Sequence, residues 1–92
     1  MDFMERLDGE REEKRLRKRV ADLMRELADK LSAKLALAPE GRFANLSKLR
    51  TAKGQRAYVK AMAALEQDDL EEAMTIAVRG LLHLEIAHFH DN

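Results

Sequence analysis

The sequence predicts an all-α fold, a single three-helix, bundle-like domain over residues 1–92 with a long, charged N-terminal helix. Apolar residues recur at steps of three and four, which is the period of an amphipathic helix, and no β-branched run alternates long enough to indicate a strand. Ala, Glu, Lys, Leu and Arg dominate the chain, as they do in helical bundles. A chain of 92 residues is long enough for one core only.

The first helix is predicted over about residues 10–37. Its apolar stripe consists of Leu16, Val20, Leu23, Leu27, Leu31 and Leu35. An almost wholly charged run, residues 10–19, forms its first turns. Pro39 indicates its end, because proline disfavours helical geometry in the residue before it. Residues 1–9 form either one amphipathic turn or a flexible arm, since Gly9 interrupts them.

The second helix is predicted over about residues 45–66, with Asn45 as its N-cap. The residues predicted for its inner face are Leu46, Leu49, Ala57, Tyr58, Ala61, Met62 and Leu65. Gly54 lowers the helix propensity of the middle of this segment. Two shorter helices, 45–51 and about 54–66, are therefore the alternative.

The third helix is predicted over about residues 69–90, capped by Asp68 or Asp69, because its acidic first turn suits the positive end of the helix dipole. One side, predicted as core, carries Leu70, Ala73, Met74, Ala77, Leu81 and Leu84. A second side carries Val78, Leu82, Ile86 and Phe89. The two other helices can cover one side well and a second side poorly, so we expect the second side, with His88, to form a dimer or partner interface.

Small residues also share one flank of the third helix. Ala73, Gly80 and Ala87 follow one another at steps of seven. Because they carry little or no side chain, this flank is predicted to let another helix approach closely.

The charges are unevenly distributed. Residues 1–60 contain 16 Lys and Arg against 10 Asp and Glu, and residues 61–92 contain 1 against 7. Either the two parts pair with each other, or the basic stretches 14–19 and 41–60, the latter interleaved with Phe43 and Tyr58, bind nucleic acid. The candidate phosphate-binding residues are Arg15, Arg17, Lys18, Arg19, Arg42, Lys48, Arg50, Lys53, Arg56 and Lys60.

The sequence indicates no catalytic or cofactor site. It has no cysteine, which rules out disulfides and thiol catalysis, and no Gly-rich phosphate loop or nucleophile beside a base. Glu85 and His88 have the Glu-x-x-His spacing of di-iron bundles, but the additional inward-facing glutamates that such sites need are missing, so no metal is expected. Without a membrane-length apolar run or a signal-peptide pattern, the expected location is the cytoplasm.

One segment resembles a known family. The run Gln67–Met74, followed by Gly80 and Leu81, resembles the turn and second helix of a tetratricopeptide repeat. Small residues of that family correspond here to Ala61, Ala73 and Gly80, whereas its large or aromatic positions hold Ala57, Lys60 and Ala64. The resemblance covers residues 54–87 as a single unit, and it implies a helical hairpin that binds proteins.

These patterns together predict a small, non-enzymatic protein–protein interaction module, an adaptor, regulator or inhibitor that acts through helix–helix contacts as a homodimer. The alternative is a nucleic-acid-binding regulator that uses the two basic stretches.

Overall fold

Three helices joined by two short connections form the computed structural model, which describes residues 3–91. Helix α1 spans Phe3–Leu35, α2 spans Ala44–Glu66, and α3 spans Leu70–Asp91. None of the residues from 3 to 91 is in a strand, so the predicted all-α, three-helix fold is confirmed. In the same range, no helix is both long enough and apolar enough to cross a bilayer.

The helices run up, down and up. Arg17 of α1 pairs with Asp68, which precedes α3, and Lys34 near the end of α1 pairs with Asp91 at the end of α3. Helices α1 and α3 are therefore parallel, and α2 is antiparallel to both. The described part of the chain measures 60 × 21 × 16 Å, because α1 is much longer than its neighbours.

Helix α1 begins seven residues before the predicted start and ends two residues before the predicted end. Gly9 does not interrupt it, since the glutamates and arginines around Gly9 are strong helix formers that offset its cost of about 1 kcal/mol. Residues 3–9 are thus helical, as the alternative of an amphipathic turn predicts, and residues 1 and 2 lie outside the described range. Only the later part of α1, from Leu16 onward, reaches the core, so its first turns project beyond the other two helices.

Helix α2 is continuous through Gly54, so the alternative of two shorter helices is wrong. It begins at Ala44, and no side chain caps its first turn, so the N-cap predicted at Asn45 is not formed. Its inner face also differs from the prediction. Small residues are buried there, namely Ser47, Thr51, Gly54, Ala57 and Ala61, whereas three of the predicted inner residues, Leu46, Leu49 and Met62, are exposed.

The start of α3 lies within one residue of the prediction. The Oδ1 atom of Asp69 accepts a hydrogen bond from the Glu72 N–H at 3.2 Å, so Asp69 caps the helix. Asp68 instead has a positive φ of 57° and its carboxylate lies 2.7 Å from Arg17.

Helices α2 and α3 approach each other closely through small residues. A Cβ added at Gly80 would lie 2.9 Å from the Cβ of Ala57 and 3.2 Å from both methyl groups of Leu27. A Cβ added at Gly54 would lie 2.8 Å from a methyl group of Leu84. Ala73 and Ala87 are fully buried. The close approach predicted for the Ala73, Gly80 and Ala87 flank is therefore confirmed.

The core is built on this contact. Leu27 of α1 is fully buried above Gly80, and Val20, Met24 and Leu31 extend the same stripe of α1. Helix α1 thus covers the α2–α3 pair from one side with leucine and valine side chains, which are the large apolar groups of the core.

We expect the substitution Gly80→Ala to lower the free energy of unfolding by about 1–2 kcal/mol, because overpacking against Ala57 and Leu27 outweighs the gain in helix propensity. Urea denaturation followed by circular dichroism measures the change. The matched control is Gly9→Ala, where nothing lies within 4 Å of the added Cβ, and it should leave stability unchanged or raise it. Equal effects of the two substitutions would contradict the close contact.

A second prediction concerns Ser47, which is fully buried and whose Oγ has no hydrogen-bond partner among the described residues. The substitution Ser47→Ala removes that unsatisfied hydroxyl, so we expect the free energy of unfolding to rise by about 1 kcal/mol. The exposed Ser32 of α1, replaced by Ala, is the control for helix propensity alone. The explanation fails if Ser47→Ala stabilises the protein no more than Ser32→Ala does.

Candidate functional site

The outward side of α3 carries an apolar stripe that no other helix covers. Val78 is 49% exposed, Leu82 is 55% exposed and Phe89 is 75% exposed, while Ile86 is half-buried. We call these four residues the open face of α3. They are the four apolar residues predicted for an interface, and their spacing of four, four and three places them along one side of the helix.

The open face exists because α1 and α2 cover a different side. The buried residues of α3 are Leu70, Ala73, Ala77, Gly80, Leu84 and Ala87. These residues also recur at steps of three and four, so they define the core side, and the sequence-predicted core residues Met74 and Leu81 are only partly buried at its margin. Both sides of α3 are apolar, and the single chain covers one of them.

His88, predicted to accompany the open face, lies elsewhere. It is exposed, and it lines a groove of about 420 Å³ between the ends of α1 and α3. Lys34 and Asp91, which form an ion pair, line the same groove, as do the apolar side chains of Leu37 and Leu84. Glu85 is also in this lining, so His88 and Glu85 flank the open face and are not part of it.

The basic stretch 14–19 of α1 lines a different part of the surface from the basic residues of α2. The guanidinium of Arg17 lies 2.8 Å from Glu13 and 2.7 Å from Asp68, so its charge is neutralised within the chain. Arg15, Lys18 and Arg19 line a shallow surface depression that also contains two carboxylates, those of Asp22 and Glu26. The stretch 14–19 is thus a mixed-charge surface.

A second set of cations converges from two helices. A groove of about 210 Å³ between α2 and α3 is lined by Lys53, Arg56 and Lys60 from α2 and by Arg79 and His83 from α3. We call these five residues the basic groove. The two other lining residues are Ala57 and Ile76, so no carboxylate lies in the groove and α1 contributes nothing to it. Among residues 3–91, none of the ion pairs includes any of its four lysines and arginines.

The surroundings of His83, which lines this groove, favour its neutral form. The Nη1 atom of Arg50 lies 3.1 Å from its Nδ1 atom. Because arginine can only donate, Nδ1 accepts this hydrogen bond and Nε2 carries the proton. Burial lowers the pKa of His83, and the charges of Arg50 and Lys53 lower it further.

The remaining candidates in the stretch 41–60 lie outside the groove. Lys48 is exposed and lines a different depression, beside Lys34 and Pro39. The guanidinium of Arg42 lies 5.5 Å from the ring centroid of Phe43, and that ring packs on His90 at 5.8 Å.

The aromatic residues of the stretch differ in their accessibility. Phe43 is exposed, whereas Tyr58 is partly buried and packs against the core, which limits its access to a base.

Sequence reasoning did not assign Arg79 and His83 to the nucleic-acid surface, because they lie in the acidic last third of the chain. Arg79 is the only Lys or Arg after residue 60. A lone basic residue in an acidic segment is the sequence signal that could have identified Arg79. The register between α2 and α3 brings Arg79 beside the α2 lysines.

No set of three histidine, aspartate or glutamate side chains among residues 3–91 is grouped so that it could hold a metal ion. Comparison with protein-family models, with curated proteins and with solved structures finds no match for this chain. The tetratricopeptide resemblance of residues 54–87 stays a prediction.

We expect His83 to make stability pH-dependent. Its pKa is below the unfolded value of about 6.5, so its contribution is complete above pH 6.5 and is lost as the pH falls through the lower, folded pKa. The substitution His83→Asn keeps an acceptor for Arg50 and should flatten the decline of unfolding free energy below pH 6.5, measured by urea denaturation at several pH values. The same change at the exposed His88 is the control. An unchanged pH profile for His83→Asn would refute this assignment.

Proposed function

We propose that the protein is a small, non-enzymatic interaction module that acts through helix–helix contacts and pairs with a second copy of itself through the open face of α3. The single observation that carries the proposal is the exposure of Val78, Leu82 and Phe89 along one side of a continuous helix. Contiguous apolar patches on soluble monomers commonly mark interaction surfaces.

A second copy of the chain is the partner that fits the open face of α3 most simply. A twofold dimer uses the same patch on both subunits, so an apolar stripe can meet itself without a separate complementary surface. Each chain has a formal net charge of zero, so two copies approach without net repulsion. Pairing of two such helices would bury the Val78, Leu82 and Phe89 side chains together.

The long overhang of α1 also favours assembly. The turns of α1 before Leu16 supply no residue to the hydrophobic core, although Phe3 and Met4 are apolar and exposed there. Isolated helices shorter than about 12–15 residues are marginal in water, so a partner that packs on this overhang would stabilise it. The overhang therefore offers a second contact for the same assembly.

The cellular roles that suit such a module are those of an adaptor, a regulator or an inhibitor, and we place it in the cytoplasm. A helix face that binds another helix can link two proteins or block the groove of one. The sequence has neither a Gly-rich phosphate loop nor a nucleophile beside a base, and this supports a binding role over an enzymatic one.

We expect light scattering to give twice the chain mass of 10.5 kDa for the unaltered protein and the single chain mass for the double variant Val78→Glu, Leu82→Glu. Two carboxylates cannot be buried in an apolar contact without a large desolvation cost. Circular dichroism should show that the variant keeps its helices, since both side chains are outside the core.

The matched control is Val59→Glu, which introduces the same charge at a 63% exposed valine on α2 and should leave the dimer intact. A monomeric unaltered protein, or a double variant that remains dimeric, would overturn the proposed interface.

A further inference from the structure

The basic groove has a charge arrangement that the dimer interface does not explain. Lys53, Arg56 and Lys60 of α2 face Arg79 of α3 across a shallow depression, and no carboxylate lines it. Like charges that line one groove repel one another. The pKa of His83 is lowered mainly by burial, and the charges of Arg50 and Lys53 lower it further. A bound anion would relieve this repulsion.

We propose that the basic groove binds the phosphodiester backbone of nucleic acid, without reading its sequence. Lysine and arginine side chains that neutralise backbone phosphates provide most of such binding, because they release condensed counterions.

The length of the cationic row favours an extended polyanion over a single phosphate. Lys53, Arg56 and Lys60 follow one another along α2 at steps of three and four, and Arg79 of α3 adds a fourth cation to the groove. At 1.5 Å per residue the α2 row extends about 10 Å, so its charges are spread along the helix and do not converge on a single phosphate. The volume of about 210 Å³ is below the 300–1,000 Å³ typical of pockets that enclose a small molecule.

The positions of the aromatic side chains favour contact with the nucleic-acid backbone over stacking on the bases. Tyr58, the aromatic residue within the same part of α2, is packed against the core. The groove is lined by cations, His83 and two small or aliphatic residues, so it can position a backbone but contains no phenylalanine, tyrosine or tryptophan on which a base could stack.

The stretch 14–19 and the basic groove are both rich in lysine and arginine, but their charges are paired differently. In the stretch 14–19, Arg17 is already paired with Glu13 and Asp68. Its neighbours share their surface with Asp22 and Glu26. The basic groove has neither feature, so we assign the binding to α2 and α3 and not to α1.

The test is fluorescence anisotropy with a labelled 16-base-pair DNA duplex of arbitrary sequence, titrated at several salt concentrations. With four phosphate contacts, the slope of log K against log salt is expected to be about −3.6, so affinity should fall about 150-fold between 50 and 200 mM salt. Lys53→Gln and Arg79→Gln should each reduce the slope by about 1, and the double variant by about 2.

Matched controls come from outside the groove. Lys48→Gln removes a cation from the exposed surface of the same helix, and Arg15→Gln removes one from α1. Both should leave the slope within error of the unaltered protein. All four side chains lie outside the buried core, so circular dichroism and light scattering should show unchanged helix content and assembly in each variant.

Several results would overturn the proposal. These are the absence of duplex binding at 50 mM salt, equal losses in the groove variants and the control variants, and displacement of the duplex by polyglutamate of equal charge as effectively as by unlabelled DNA. Competition by duplex RNA and by a single-stranded 16-mer identifies the source of the backbone. Because these variants leave the open face of α3 unchanged, the result does not depend on whether the protein dimerises.

Discussion

The close contact between α2 and α3 is the constraint on which the rest of this structure depends. Gly80 meets Ala57 and Gly54 meets Leu84 at distances that leave no room for one more methyl group. Small side chains let the backbones of α2 and α3 come close together. Dispersion contacts along this interface then stabilise the helix pair in place of buried large side chains. Leu27 of α1 fills the space above this contact, which ties the third helix to the same position.

The burial of small residues between α2 and α3 determines which apolar side chains are exposed to solvent. Because α2 buries serine, threonine, glycine and alanine, its larger side chains such as Leu49 and Val59 face solvent. Because α3 buries its small-residue flank, Val78, Leu82 and Phe89 are exposed. A core built largely from small residues thus produces a surface with more apolar area than a single chain of this size needs.

The same contact creates the second candidate surface. Antiparallel packing with Gly80 against Ala57 places Arg79 opposite the basic residues of α2 and brings Arg50 within hydrogen-bond distance of His83. Two distinct surfaces therefore follow from one helix pair, an apolar one on the outside of α3 and a cationic one at the α2–α3 junction. The first suits another helix, and the second suits a polyanion.

The sequence by itself determined the three helices, a cap at Asp68 or Asp69 and the apolar surplus of α3, because helical period, turn residues and capping are local properties of the chain. Only the tertiary structure decided which side of α2 is buried, that α1 continues through Gly9, and that Arg79 joins the α2 cations. The buried side of α2 and the position of Arg79 depend on the register between α2 and α3. Steric fit at Gly54 and Gly80 determines that register, and it produces no periodic pattern in the sequence. The continuity of α1 depends on whether the neighbouring helix formers offset the cost of about 1 kcal/mol at Gly9. The apolar periodicity of the sequence does not show the outcome of that balance.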